Sequence, residues 1–325
     1  HLRIKIEFNL ILFFLCKHIL KCDTMKKYIE YFYDVELQKI INVGDNYFFN
    51  INGINYCLYE VKGEINRVNI ETILRLTSFM YEFHNVILTK DNQIFCIVEG
   101  KKYSLLKINL KSNRIINLND LLRFKNYTIN MSKKAYSPNW IDLWSRKIDY
   151  LEYYINNKDN LKNEIKGILY YFIGLGENAI KYIKDSLKTS GFNQNKIVLS
   201  HYRVDSDSTL YSLYNPFNLM IDYSVRDIAE YIKSMFYSDK IDYTEIENLV
   251  NKNILSEMEY KLLFGRLLFP TFFFDMFDKY EDNKLDNKKL ISIYNKTTEY
   301  EAFLYNVYLI IKKRNNIISV PWLNK

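Results

Sequence analysis

Alternation of apolar and polar residues dominates the first hundred positions. The run "NYFFNINGINYCLYEV" (46–61) breaks at Asn52-Gly53, a pair favoured in two-residue hairpin turns, and predicts two paired strands. A short amphipathic helix over 25–34 precedes it. After it, "IETILRLTSFMYEFH" (70–84) repeats its apolar positions Ile70, Ile73, Leu74, Thr77, Met80 and Tyr81 at helical spacing. Two further strand-like runs follow, "NVILTKDNQIFCIVEG" with a turn at Lys90-Asp91-Asn92, and "KKYSLLKINL". Beyond about residue 110 the period changes from two to that of a helix. "WIDLWSRKIDYLEYYI" (140–155) sets Trp140, Trp144, Ile148, Leu151 and Ile155 in one stripe. Helical patterns recur at 167–187, 224–236, "TEIENLVNKN", 256–280 and 298–315, with Pro270 expected to interrupt the fourth of these. The pattern predicts a small mixed lobe over 25–109 and a larger, mainly helical lobe over 110–325, the bilobal α+β layout of the protein-kinase-like fold.

Composition adds mainly exclusions. The 45 Lys and Arg against 38 Asp and Glu give a net charge of +7, spread without a long basic run, so no nucleic-acid partner is expected. Nine Gly and four Pro leave no phosphate-cradling Gly-rich loop and no disordered linker. Cys16, Cys22, Cys57 and Cys96 form no C-x-x-C pair, which suits a reducing compartment and no cysteine metal site. The apolar run "FNLILFFLCKHIL" (8–20) is about half the length that spans a bilayer. Residues 1–24 are read as a translated leader outside the fold, with Met25 as the natural start; a membrane tether at 8–20 is the weaker alternative, and no membrane partner is expected.

Several stretches carry a family resemblance. "WIDLWSRKIDYLEYYI", "YYFIGLGENAIKYIKD", "LSHYRV", "MIDYSVRDIAEYIKS" and "LLFGRLLFPTFFFDMFDKY", in that order, resemble the bacterial spore-coat-associated YutH proteins, which are related to the CotS spore coat proteins. That group looks like a branch of the aminoglycoside phosphotransferase and choline kinase fold. The resemblance spans about residues 25–315, with "GLGENAIKYIKD" and "RDIAEYI" its distinctive parts. It implies spore coat proteins as partners, and the spore coat or the mother-cell cytoplasm of a sporulating bacterium as the location.

The resemblance also says where phosphotransfer chemistry would sit. Protein kinases carry H-R-D-x-x-x-x-N, in which the Asp accepts the substrate proton and the Asn holds metal; the small-molecule kinases resemble this with H-G-D. Here His201 matches, Arg203 stands at the base position and Ser208 at the metal position. A guanidinium has no accepting lone pair and stays protonated, so Arg203 cannot be a base. Asp222, which ends the apolar run "LMIDYSV", has plausible spacing for a metal-binding Asp, and Asp227 for the Asp that braces the loop. Each also suits a plain capping role. In the first lobe Leu58 and Tyr59 occupy the strand where an inward Lys is expected, Lys62 lies in the exit turn, and Glu71 or Glu82 would be its helix partner. With base, metal Asn, phosphate Lys and Gly loop missing together, the expected protein is a pseudokinase of the endospore coat that binds a protein or a small ligand and needs no cofactor. The alternative is a divergent phosphotransferase for a sugar, aminoglycoside or choline-like alcohol, using ATP and Mg2+ with Asp205 or Asp207 as an unorthodox base.

Overall fold

The computed structural model describes residues 22–62, 67–129, 138–158, 161–190, 197–282 and 284–323. The leader and tether readings of the first segment fall mostly on 1–21, outside the described residues. The chain forms two compact units, one of residues up to Arg114 together with Thr209–Leu219, the other of Ile115–Ser208 with Met220–Lys325.

The first unit is built on an antiparallel sheet of β1 (Ile41–Val43), β2 (Asn46–Ile51), β3 (Ile54–Glu60), β4 (Asn85–Ile87), β5 (Cys96–Val98) and β6 (Lys101–Lys107). Its order is β1-β2-β3-β6-β4, with β5 also on β6. The β2–β3 hairpin turns at Asn52 and Gly53, whose φ values of 51° and 80° are those a two-residue I′ turn demands. Period-two alternation then divides the strands between two cores. Tyr47, Phe49, Leu58, Tyr103 and Leu105 pack with Met25, Ile29 and Tyr33 of α1 (22–33). Their neighbours Cys57 and Leu106 pack on the other side with Ile70 of α2 (Arg67–Thr77) and with Phe217. Phe217 comes from the returning segment, which contains α6 (Leu210–Leu213) and a 3-10 turn at Pro216–Asn218.

Three details differ from the sequence expectation. Thr209–Leu219, expected within the helical lobe of 110–325, groups with the first unit. Helix α1 is already formed at residue 22, ahead of Met25. Helix α2 stops at Thr77, where the Thr77 hydroxyl donates to the carbonyls of Ile73 and Leu74 and draws the last turn closed.

The second unit holds α3 (Leu118–Thr128), α4 (Trp140–Asn157), α5 (Asn163–Ser190), α7 (Arg226–Tyr237), α8 (Tyr243–Asn251), α9 (Glu257–Leu268), α10 (Thr271–Glu281), α11 (Asn287–Asn295) and α12 (Thr297–Lys312). A two-stranded sheet pairs β7 (Ile197–His201) with β8 (Leu219–Tyr223). The predicted α4 stripe is the buried one. Pro270 separates α9 from α10, since it can neither donate to the helix ladder nor let its predecessor stay helical. The aromatic run around it is core: Phe269 stacks on Trp144 at 4.2 Å and Phe273 on Phe172 at 3.7 Å. Helix α9 is buried on all sides, so its charged residues need internal partners. Lys125 supplies one to Glu259 at 2.8 Å. Burial pushes the Glu259 carboxyl up, but Lys125, Ser224 and the Ser256 N–H outweigh it and hold the group at about 2. Among the described residues no helix is long and apolar enough to cross a membrane.

Candidate functional site

The site lies where β7 ends and the loop to residue 208 begins. Val198, Leu199 and Ser200 anchor β7 in the core, which delivers His201 to the strand end, 2% exposed. Its backbone N–H donates to Asp227 Oδ1 at 2.9 Å, and its Nδ1 lies 2.6 Å from Asp227 Oδ2. Asp227 belongs to the first turn of α7, where the helix dipole favours a carboxylate. Two contacts from one carboxylate therefore fix both the backbone and the ring of His201. The Phe124 ring closes the other side at 4.7 Å.

Asp222, near the end of β8, is 2% exposed and accepts hydrogen bonds on both oxygens. Oδ1 accepts from Trp140 Nε1 at 2.8 Å and from the Tyr223 N–H at 2.7 Å, while Oδ2 accepts from Arg226 Nη1 at 2.8 Å. Arg226 in turn donates through Nε to the His201 carbonyl at 3.0 Å. Burial opposes the Arg226 charge, but Asp222 and the neighbouring acids more than offset it. Asp222, Arg226, His201 and Asp227 thus form one internal network that spans β7, β8 and α7.

The loop residues face outward. Arg203 has a side chain 74% exposed and donates through Nη2 to Asp275 Oδ1 at 2.8 Å, and through Nη1 to the Tyr202 carbonyl at 3.2 Å. Ser208 and Asp205 close on each other: the Ser208 hydroxyl donates to Asp205 Oδ1 at 2.9 Å and accepts the Asp205 N–H at 3.0 Å. Asp205 Oδ1 also accepts the Asp207 N–H at 3.1 Å, an Asx-type turn. Asp207 pairs with Lys240 at 2.8 Å. Asp205 is therefore occupied in holding the loop, whereas the Asp207 carboxylate is 72% exposed and meets Lys240 at the surface.

Beside the loop is a cavity of about 350 Å³ whose walls include Arg203, Asp205, Glu230, Lys233 and Asp275. Its floor is a buried charged knot. Lys233 Nζ donates to the carbonyls of Arg266 and Phe269 and to the Thr271 hydroxyl at 3.0, 2.9 and 2.6 Å. Burial brings its ammonium down to about 8. Arg266 Nε donates to Glu230 at 2.6 Å, and its guanidinium lies over the Trp140 ring at 5.1 Å. Among the described residues no group of three or more His, Cys, Asp or Glu is arranged to hold a metal ion.

In the first unit, of the two strand residues where an inward Lys is expected, Leu58 is core and Tyr59 is half-buried. The Tyr59 hydroxyl donates to Asn218 Oδ1 at 3.0 Å, and its ring stacks on Phe217 at an interplanar angle of 7°. Lys62 is exposed and pairs with Asp45 at 2.6 Å. Glu82 Oε2 is buried without a hydrogen-bond partner. Trp140 was read only as part of the α4 stripe, and Glu230, Lys233, Arg266 and Asp275, which lie within the stretches that carry the resemblance, were given no site role in the sequence. Arg226 could have been found, since it stands four residues after Asp222 and beside Asp227.

Fold and site together define a protein of the phosphotransferase-like kinase fold. Its solved structural relatives include an aminoglycoside phosphotransferase from Alicyclobacillus acidocaldarius, at 12% identity and a TM-score of 0.54, covering 86% of this chain and 94% of that one. A choline/ethanolamine kinase family protein from Mesorhizobium loti matches at 8% identity and a TM-score of 0.53, covering 89% and 99%. Choline kinase LicA from Streptococcus pneumoniae matches at 11% and 0.50, covering 86% and 97%. The chain belongs to the family described as "Spore coat putative kinase YutH", whose model matches residues 26–307. A curated relative, the "Endospore coat-associated protein YutH" of Bacillus subtilis, is 28% identical over 270 residues, covering 74% of this chain and 79% of that protein.

Proposed function

We propose that this is a spore-coat-associated pseudokinase, which keeps the fold of a phosphotransferase as a binding scaffold and acts in endospore coat formation. The observation that carries the proposal is the state of Asp222. A metal-binding carboxylate must offer lone pairs to the ion, whereas both Asp222 oxygens here already accept donors from Trp140, Tyr223 and Arg226. Leu58 and Tyr59, the latter hydrogen-bonded to Asn218, stand where a phosphate-holding Lys is expected and support the same reading from the first unit. So does Arg203 at the base position, tied to Asp275. Coat components as partners, and the coat or mother cell as location, follow from the coat association of the B. subtilis relative. No ATP or Mg2+ is required for such a role.

The test is ADP formation by the purified full chain with Mg2+-ATP and a panel of choline-like, sugar and aminoglycoside alcohols. No turnover above a heat-killed control is expected. Magnesium-dependent ADP formation that is lost in Asp222→Asn would sink the proposal and restore the divergent phosphotransferase.

A further inference from the structure

In the second unit a cleft of about 180 Å³ opens between the first turns of α3 and one face of α8. None of its lining residues belongs to the network around His201. Its apolar lining comes from both helices: Leu118 and Leu122 from α3 and Leu249 from α8, all three buried, with Ile254 from just beyond α8. Such a surface favours the methylenes of a ligand over water.

The charged lining is the second, independent observation. Glu245 and Lys252 border the same cleft, and they stand seven residues apart, in the first turn and at the C-cap of α8. Two helical turns put them on one side of the helix, with their Cα atoms about 10.5 Å apart along its axis. They do not pair with each other, and among the described residues neither finds another ion-pair partner. Glu245 bears the cost. Burial pushes its carboxyl up, Asp242 pushes it further in the same direction, and no cation offsets them. The neighbouring acids are already committed to caps. Asp120 accepts the Asn117 N–H at 2.9 Å, and Asp242 accepts the Thr244 N–H at 2.9 Å and its hydroxyl at 2.7 Å. A cation at Glu245 would therefore relieve a charge that the fold leaves uncompensated, while Lys252 offers the opposite sign at the other end of the cleft.

We propose that the cleft binds a linear zwitterion, an ω-amino acid whose ammonium meets Glu245 and whose carboxylate meets Lys252. Its methylenes lie on Leu118, Leu122 and Leu249. The two-turn spacing, shortened by the reach of both side chains, calls for a chain of about five carbons between the charges. A cavity of about 150 Å³ holds one benzene ring, so a slim chain of that length fits this cleft and a nucleotide does not. An α-amino acid carries both charges at one end and cannot serve Glu245 and Lys252 together. The inference goes beyond the pseudokinase reading and does not rest on it.

The test is calorimetric titration of the full chain with ε-aminocaproate, with its isomer norleucine, whose charges are adjacent, and with caproate and hexylamine, which carry one charge each. The ω-amino acid is expected to bind with a dissociation constant on the order of 1 mM, and the other three at least about fivefold more weakly. Glu245→Gln should reduce ε-aminocaproate to the level of caproate, and Lys252→Gln should reduce it to that of hexylamine. Lys252→Arg keeps the cation and should retain binding, and circular dichroism melts establish that each variant is folded. Norleucine binding as tightly as ε-aminocaproate, no heat from ε-aminocaproate at about ten times the stated concentration, or undiminished binding in folded Glu245→Gln overturns the proposal. Mg2+-ATP turnover would instead count against the pseudokinase reading and leave this result untouched.

Discussion

The two ion pairs at the loop differ in their surroundings, and the difference fixes what each contributes. Arg226 and Asp222 have side chains 11% and 2% exposed, so removing the carboxylate leaves a buried guanidinium and two further donors without an acceptor. Asp222→Ala should cost about 3–5 kcal/mol in urea unfolding. Arg203→Ala breaks a pair that water already screens and should cost about 0–1 kcal/mol. A loss of equal size in both variants would contradict the assignment. His84 sets a pH dependence. Its imidazole is held at about 4 against 6.5 unperturbed, so between these values the unfolded chain binds a proton that the native chain refuses. Stability therefore rises with pH through this window, and acidifying from pH 7 to 4 should remove about 3 kcal/mol through this residue. His84→Gln should flatten that part of the urea-midpoint profile. The Lys125–Glu259 pair fails later, because a carboxyl held at about 2 loses its contribution only as pH falls from 4.5 towards that value.

Helix packing depends on two glycines of unequal importance. A Cβ at Gly265 in α9 would meet Ile183 Cδ1 and Cγ1 of α5 at 2.4 and 2.8 Å, so both atoms of that side chain must move. At Gly176 in α5 only the Cδ1 tip of Ile148 lies too close, at 2.7 Å. Against a helix-propensity gain of about 1 kcal/mol, Gly176→Ala should be near neutral and Gly265→Ala should destabilise by about 1–3 kcal/mol; thermal melts of the two variants provide the check. Elements of this kind were legible wherever one period ran uninterrupted: the hairpin at Asn52-Gly53, the α4 stripe and the break at Pro270. Helices α3 and α11 were missed: both are short, although each has an amphipathic face and the Asn117–Asp120 capping box was a local signal for α3. At the site, the motif frame located His201, Asp222 and Asp227. It could not supply Trp140 or Asp275, which reach their partners across 82 and 72 residues of chain and carry no local signal.

At the scale of the molecule, the two units are interlaced along the chain. Thr209–Leu219 leaves the second unit and completes the first. It contributes Phe217 to a core and an Asn218 acceptor to Tyr59, and it receives the His84 N–H at the Tyr214 carbonyl at 3.1 Å. Residues 22–114 alone should therefore lack amide dispersion in a two-dimensional NMR spectrum. Attaching 209–219 through a flexible Gly/Ser linker should restore it. A well-dispersed spectrum from the short fragment would show that the returning segment is not needed. Nothing in the local pattern of "TLYSLYNPFNL" marks it as part of a domain that began almost two hundred residues earlier, because membership is decided by long-range packing.

That interlacing has a consequence during synthesis. The sheet and its helices emerge from the ribosome first, yet the side chains that finish them are encoded about 100 residues later. At roughly 5–20 residues per second, the nascent unit waits on the order of 5–20 s with an apolar face uncovered, which makes it a substrate for holding chaperones throughout that interval.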